Sequence, residues 1–355
     1  MKRYMTCLLI MLCLISALIF TFFLAGCNTA PEGPANSEEE ESQDIEIEDP
    51  EIIEPAPVDE RDPSPYTGLP VDEIFGRPYA IMIDNLPAAR PQSGLKDAEL
   101  VYEVPVEGGT TRFITFWLTP YEKDIGPVRS ARPYFAYLAK EQDAILAHCG
   151  YSIHTEAVIK EINLKHIDER FNPLYFKREK SRNMPHNLYT NLSRLSQGAE
   201  KFNYLQTEDV TVAPFFNFEE KQVSENIVSQ ISVSFISNNL VEYRWNPQQG
   251  MYTRYNGGSL FIDANDGEAV QVKNIIIQFV DIRTFTDEGH LKIAMLGEGN
   301  GLYFSEGSVQ EIMWQKDSYS ERTRFLDKNG RDIKLSKGNT WIHLVPQYGK
   351  VEWSF

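Results

Sequence analysis

Glu99-Leu100-Val101-Tyr102-Glu103-Val104-Pro105-Val106, then Glu107-Gly108-Gly109, then Thr111-Arg112-Phe113-Ile114-Thr115-Phe116-Trp117-Leu118: the fold turns on the reading of this stretch. Two runs rich in β-branched and aromatic residues flank a Gly-Gly pair, which predicts two strands with a tight turn between them. Upstream, Tyr79-Ala80-Ile81-Met82-Ile83 reads as a further buried strand, and residues 144–147 as a short one. Between them Ser130 is expected to cap a helix over 132–142, with Pro133 tolerated in its first turn. Residues 155–162 and 188–202 also carry helical patterns. The mixture predicts an α/β-type domain with a central mixed sheet over residues 63–206.

Downstream the grain changes. Short strand-like runs recur at 231–235, 240–245, 270–280, 291–295, 301–304, 312–316 and 341–345. Turn signals such as Asn256-Gly257-Gly258, Asp266-Gly267 and Asn329-Gly330 separate them. Residues 207–355 are therefore expected to form a mostly antiparallel β domain, and the fold class is α+β.

The chain begins with Lys2 and Arg3, runs apolar and uncharged over residues 5–24, and then reads Leu24-Ala25-Gly26-Cys27. This has the shape of a lipoprotein signal peptide over 1–26, with a diacylglyceryl (palmitate-type) lipid on Cys27. An uncleaved membrane helix needs about 20 apolar residues, but it does not need two small residues and a cysteine at its end. The expected location is the extracytoplasmic face of the cell membrane, held by two acyl chains. The other cysteines are Cys7, Cys13 and Cys149. After processing only Cys149 keeps a free thiol, so no intrachain disulfide can form.

The net charge of −17 is unevenly placed. Residues 28–62 hold 14 acids against Arg61 alone, and no aromatic. Such a segment cannot bury enough apolar surface to order itself, so 27–62 reads as a lipid-anchored acidic linker. The remaining residues are close to balanced, which argues against nucleic acid as a partner.

Several segments resemble the YerB-like lipoprotein family of Gram-positive bacteria. They include Thr67-Gly68-Leu69-Pro70, Ile83-Asp84-Asn85, Ala89-Arg90-Pro91-Gln92-Ser93-Gly94-Leu95, Gly126-Pro127-Val128-Arg129-Ser130-Ala131-Arg132-Pro133 and Pro185-His186-Asn187-Leu188-Tyr189. Trp314-Gln315-Lys316 and Gly338-Asn339-Thr340-Trp341-Ile342 extend the resemblance to the second half. It implies two domains of unknown function on an extracytoplasmic anchor, with no catalytic residues or cofactor to carry over. The family pattern does not require a cysteine at position 149.

The polar residues near the predicted turns define a candidate site. Arg90, Gln92, Ser93, Arg112, Arg129, Ser130, Arg132, Arg182, His186 and Asn187 read as a binding set. Guanidinium forks beside a helix N-terminus suit a phosphate or carboxylate, of a wall polymer or an exported protein. The bland reading is that these arginines pair with Asp84, Glu103 or Glu107 and brace loops. A cell-envelope hydrolase is the alternative function, with Asp84, Glu103, Glu107 and His186 as its candidates. Glu103 and Glu107 are four residues apart, about 13 Å along a strand, whereas paired glycosidase carboxylates stand roughly 5–9.5 Å apart. Cys149 as a nucleophile with His148 is disfavoured because neighbours on a strand point to opposite faces. No metal-ligating spacing is present; Asp263–Glu268 reads as a hairpin turn, because its glycine sits one position early for a calcium loop.

Overall fold

In chain order the main strands are β1 (Tyr79–Asp84), β2 (Leu100–Val106), β3 (Thr110–Trp117), β4 (Ile145–His148), β5 (His166–Asp168), β6 (Gln230–Ser234), β7 (Leu240–Asn246) and β8 (Met251–Asn256). They continue with β9 (Asn274–Val280), β10 (Gly297–Ser305), β11 (Ser308–Lys316), β12 (Arg324–Leu326), β13 (Thr340–Pro346) and β14 (Lys350–Ser354). Three helices accompany them: α1 (Pro133–Glu141), α2 (Ile153–Glu161) and α3 (Leu192–Lys201). The computed structural model describes Asp59 and residues 61–205, 216–235 and 240–355. The expected signal peptide, Cys27 and all of the acidic linker except Asp59, Arg61 and Asp62 lie outside those residues.

The fold is α+β. Ten strands form one mixed sheet in the order β12-β11-β10-β9-β13-β2-β3-β1-β4-β5. Its N-terminal part mixes antiparallel β2-β3-β1 with parallel β1-β4-β5. β13, close to the end of the chain, lies parallel between β2 and β9 and so joins the early strands to the late ones. The residues after 205 thus extend the first sheet as well as building their own. The second, mostly antiparallel sheet runs from the short strand Ser259–Leu260 through β8, β7 and β6 to β14.

Alternation explains why the large sheet sits centrally. Tyr79, Ile81, Ile83, Val101, Phe113, Ile275 and Trp341 face one core, shared with α3 and the second sheet. Ala80, Met82, Tyr102, Ile114, Ile276 and Ile342 face the other, covered by α1 and α2. Both faces are apolar, so these strands read as near-continuous hydrophobic runs. Gly108 and Gly109 both adopt positive φ, 80° and 72°, at the β2–β3 turn that glycine permits.

Helix starts differ from expectation in two places. Ser130 does not cap α1: Arg132 occupies the cap position, extended at φ −129° and ψ 163°. The ring of Pro133 forces the residue before it out of helical geometry, so the helix begins at the proline. The hydroxyl of Ser130 instead donates to the Cys149 carbonyl at 2.7 Å. The expected helix at 188 starts at Leu192, because Asn191 caps it through Arg194 N–H. Leu188–Tyr189 is a short strand paired with Lys177–Arg178.

Candidate functional site

Asp84 ends β1 directly opposite Arg112 on β3. Both residues fall in phase with Met82 and Ile114, so their side chains leave the sheet on the α1 side. There they meet the start of α1. Arg129 Nε stands 3.1 Å from Asp84 Oδ2, and His186 Nδ1 2.7 Å from the same oxygen. Arg132 Nε donates to both Glu107 oxygens, at 2.9 and 3.0 Å. Arg112 is 7 % exposed, and among the described residues it donates only through Nη1 to the Ser130 carbonyl. Burial and the nearby Arg132 and Arg129 push its pKa down to about 10. The Tyr134 hydroxyl is buried and, among the described residues, without a partner. Glu107, Arg112 and Arg132 all act on it electrostatically, which places it at the same spot. Three guanidinium groups thus share two carboxylates at the positive end of a helix. Arg112 and Tyr134 keep donors to spare.

The other predicted binding residues divide. Arg182 spends its fork on the carbonyls of Ala89 and Pro91, at 2.7 and 2.6 Å. Arg90 donates to the side chain and carbonyl of Asn85, and Gln92 Nε2 to the Asp84 carbonyl and Asn85 Oδ1. These brace the loop after β1. Ser93 meets Gly126 through a backbone bridge, and Asn187 is held by Arg178 and the Glu179 carbonyl. Arg112, Arg129, Arg132 and His186 are brought together; Ser93 and Asn187 stand apart from them.

On the opposite face of the sheet lies a sealed ring of polar groups. Glu103 on β2 is opposite His343 on β13. Arg254 Nη2 lies 2.8 Å from Glu103 Oε2, and His343 Nδ1 3.3 Å from the same oxygen. Arg254 Nη1 donates to the Tyr243 hydroxyl at 2.6 Å, and that hydroxyl is 2.8 Å from His343 Nε2. Thr111 and Asn85 donate to Glu103 Oε1 at 2.6 and 3.2 Å. The Arg254 guanidinium sits within 4.8–5.5 Å of the rings of Phe113, Tyr243, Phe261 and Trp341. Burial alone would raise the Glu103 pKa, but Arg254 and His343 outweigh it and hold the carboxyl at about 2. Burial lowers the His343 pKa, against the raising effect of Glu103. Glu103, Arg254 and His343 have no exposed side-chain surface, so this cluster holds the second sheet on the first instead of meeting a ligand.

The hydrolase candidates therefore occupy separate places. Glu103 is inside the sealed ring, and Glu107 pairs with Arg132 on the α1 side. Asp84 and His186 do meet, yet Asp84 is 2 % exposed and also paired with Arg129. Cys149 donates its thiol to Glu169 at 3.2 Å, and burial with that carboxylate pushes its pKa up to about 11. His148 turns away to His166 and the Gly150 carbonyl, at 3.0 and 3.1 Å. Sequence reasoning missed Arg254 and His343. The signal was present: each is in phase with an inward aromatic, Tyr252 and Trp341 respectively.

Residues 66–205 match the N-terminal domain, and residues 231–342 the C-terminal domain, of the protein family of unknown function DUF3048. The chain belongs to that family. Over 290 residues, 80% of this chain and 86% of the relative, it is 31% identical to "Putative lipoprotein YerB" of Bacillus subtilis (strain 168). The crystal structure of the YerB protein from Bacillus subtilis matches with a TM-score of 0.73 at 29% identity, covering 82% of this chain and 99% of that one. Among the described residues no helix is long and apolar enough to cross a membrane.

Proposed function

We propose that this is a lipoprotein tethered through Cys27 to the extracytoplasmic face of the membrane, whose Arg112–Arg129–Arg132 site binds an anionic group of an envelope ligand. The observation that carries the reading is Arg112, almost fully buried beside two further arginines and in no ion pair among the described residues, although Asp84 stands opposite it. A phosphate or carboxylate would supply the missing charge and accept from Arg112, Tyr134 and the outer edges of Arg129 and Arg132. Supporting the tether are the Leu24-Ala25-Gly26-Cys27 tetrad and the lipoprotein description of the Bacillus relative. The acidic segment 28–62 carries 14 acids against Arg61 alone, a charge that an anionic surface repels. An anionic wall polymer meets the charge requirement; an exported protein presenting a phosphate or carboxylate is the other ligand class.

The experiment is retention of the full chain, in detergent, on isolated cell walls before and after extraction of their anionic polymers. Binding should require those polymers and fall at least tenfold in Arg129→Gln/Arg132→Gln, with an unchanged circular dichroism spectrum. Retained binding in a folded double variant would sink the proposal.

A further inference from the structure

A second groove, of about 360 Å³, lies between the loop after β1 and the hairpin after β8. Pro87, Arg90 and Pro91 form one wall, and Asn256, Leu260 and Phe261 the other. Arg90 gives Nε and Nη2 to Asn85, and among the described residues Nη1 makes no hydrogen bond. Among those residues no carboxylate pairs with it: Glu103 and Asp84 are near, but they are held by Arg254 and by Arg129 with His186. The Asn256 side-chain nitrogen has no acceptor among the described residues, but it lies beneath the groove wall with no exposed surface. The open Nη1 of Arg90, beside the groove, calls for an anionic acceptor. The surroundings are apolar: Leu260 is 48% exposed, and Phe261 and the two prolines flank it.

The hairpin adds a main-chain feature. Ser259–Leu260 pairs with Tyr255 and Asn256 on one side and is the last strand of its sheet on the other. Phe261 N–H donates inward to the Arg254 carbonyl at 3.0 Å. Strand alternation then turns the N–H and C=O of Leu260 outward, to the free edge. A peptide main chain can pair with such an edge.

We infer that this groove captures the carboxyl terminus of an extended peptide ending in an apolar residue. The carboxylate meets Arg90, the last side chain packs on Leu260 and Phe261, and one main-chain pair forms at Leu260. The site uses none of Arg112, Arg129 or Arg132, so it stands or falls apart from the anion site above. It also gives the C-terminal residues a role in recognition, since one wall is theirs.

The test is fluorescence anisotropy of a labelled Gly-Ala-Leu peptide with the full chain in detergent. The free acid should bind saturably, and its C-terminal carboxamide about tenfold or more weakly. Leu260→Asp, on the exposed wall and outside the Asn85 network, should weaken the acid about tenfold with unchanged circular dichroism. Arg90→Gln should do the same, and Leu260→Asp decides the matter if Arg90→Gln disturbs folding. Equal binding of acid and amide, or no saturable binding at a few millimolar, would overturn the inference. So would displacement by 4-methylpentanoate as effective as by unlabelled peptide, since that acid has no main chain.

Discussion

Arg254→Met tests the sealed ring most sharply. Methionine keeps much of the packed volume against Phe113, Phe261 and Trp341 but leaves Glu103 charged and unpaired beneath the second sheet. Breaking a buried pair by removing one partner costs about 3–5 kcal/mol. The Glu103 carboxyl gives an independent figure. Its fall from 4.5 to about 2 corresponds to about 3 kcal/mol, at about 1.4 kcal/mol per unit. Since the folded pKa lies below the unfolded one, that contribution is present above pH 4.5 and is lost as pH falls toward 2. In the variant, burial acts without Arg254, and the Glu103 pKa moves up. The gap between wild type and variant should therefore be widest near pH 7 and narrow as the solution is acidified toward pH 4. Urea unfolding followed by tryptophan fluorescence reads this, because Trp117 and Trp341 are buried in the same core. The double variant Glu103→Gln/Arg254→Met should recover about 2 kcal/mol or more relative to Arg254→Met. A single-variant loss below about 1 kcal/mol, or a double variant no better than the single one, would refute the reasoning.

Other consequences are quicker to check. Cys149, with its pKa pushed up to about 11, should react with iodoacetamide at pH 8 about a hundredfold more slowly in the native protein than in urea; comparable rates would remove the case against a nucleophile. Burial lowers the His148 pKa to about 4, so its neutral form stabilises the fold above pH 6.5, and that stability is lost as pH drops from 6.5 toward 4. His148→Asn should flatten the pH dependence of the unfolding midpoint in that window, above the one that belongs to Glu103. Lys316 and Glu141 form a second fully buried pair, between β11 and α1. Lys316→Met should be more destabilising than Glu141→Gln/Lys316→Met in the same urea assay. Cys27→Ala should release the protein to the medium or leave an uncleaved precursor, seen by fractionation and blotting; normal processing with unchanged membrane retention would contradict the anchor.

The strands of the first half were legible because near-continuous apolar runs broken by Gly, Pro and Asp are local signals, as at residues 79–83 and 99–118. Their neighbours were not. Nothing near residue 103 in the chain announces that β13, some 240 residues later, will lie beside it, since pairing across that distance is decided by core complementarity. The Arg-rich set was visible as a cluster of turn-flanking arginines, but sequence could not say which would be consumed. Arg182 went to carbonyls and Arg132 to Glu107, and only packing shows that Arg112 forms no ion pair among the described residues. The misplaced α1 cap was avoidable, because Pro133 alone excludes a helical Arg132. Arg254 was legible too, since strand alternation points it the same way as the inward Tyr252.

The anion site itself can be observed residue by residue. ¹⁵N-resolved guanidinium NMR of the full chain in detergent, titrated with poly(glycerol phosphate), follows the side-chain signals of Arg112, Arg129 and Arg132 separately. The account predicts saturable shifts of all three, largest at Arg112, and their loss in Arg129→Gln/Arg132→Gln. Unmoved Arg112 signals under a polymer that nonetheless binds the protein would place recognition elsewhere and contradict the central claim.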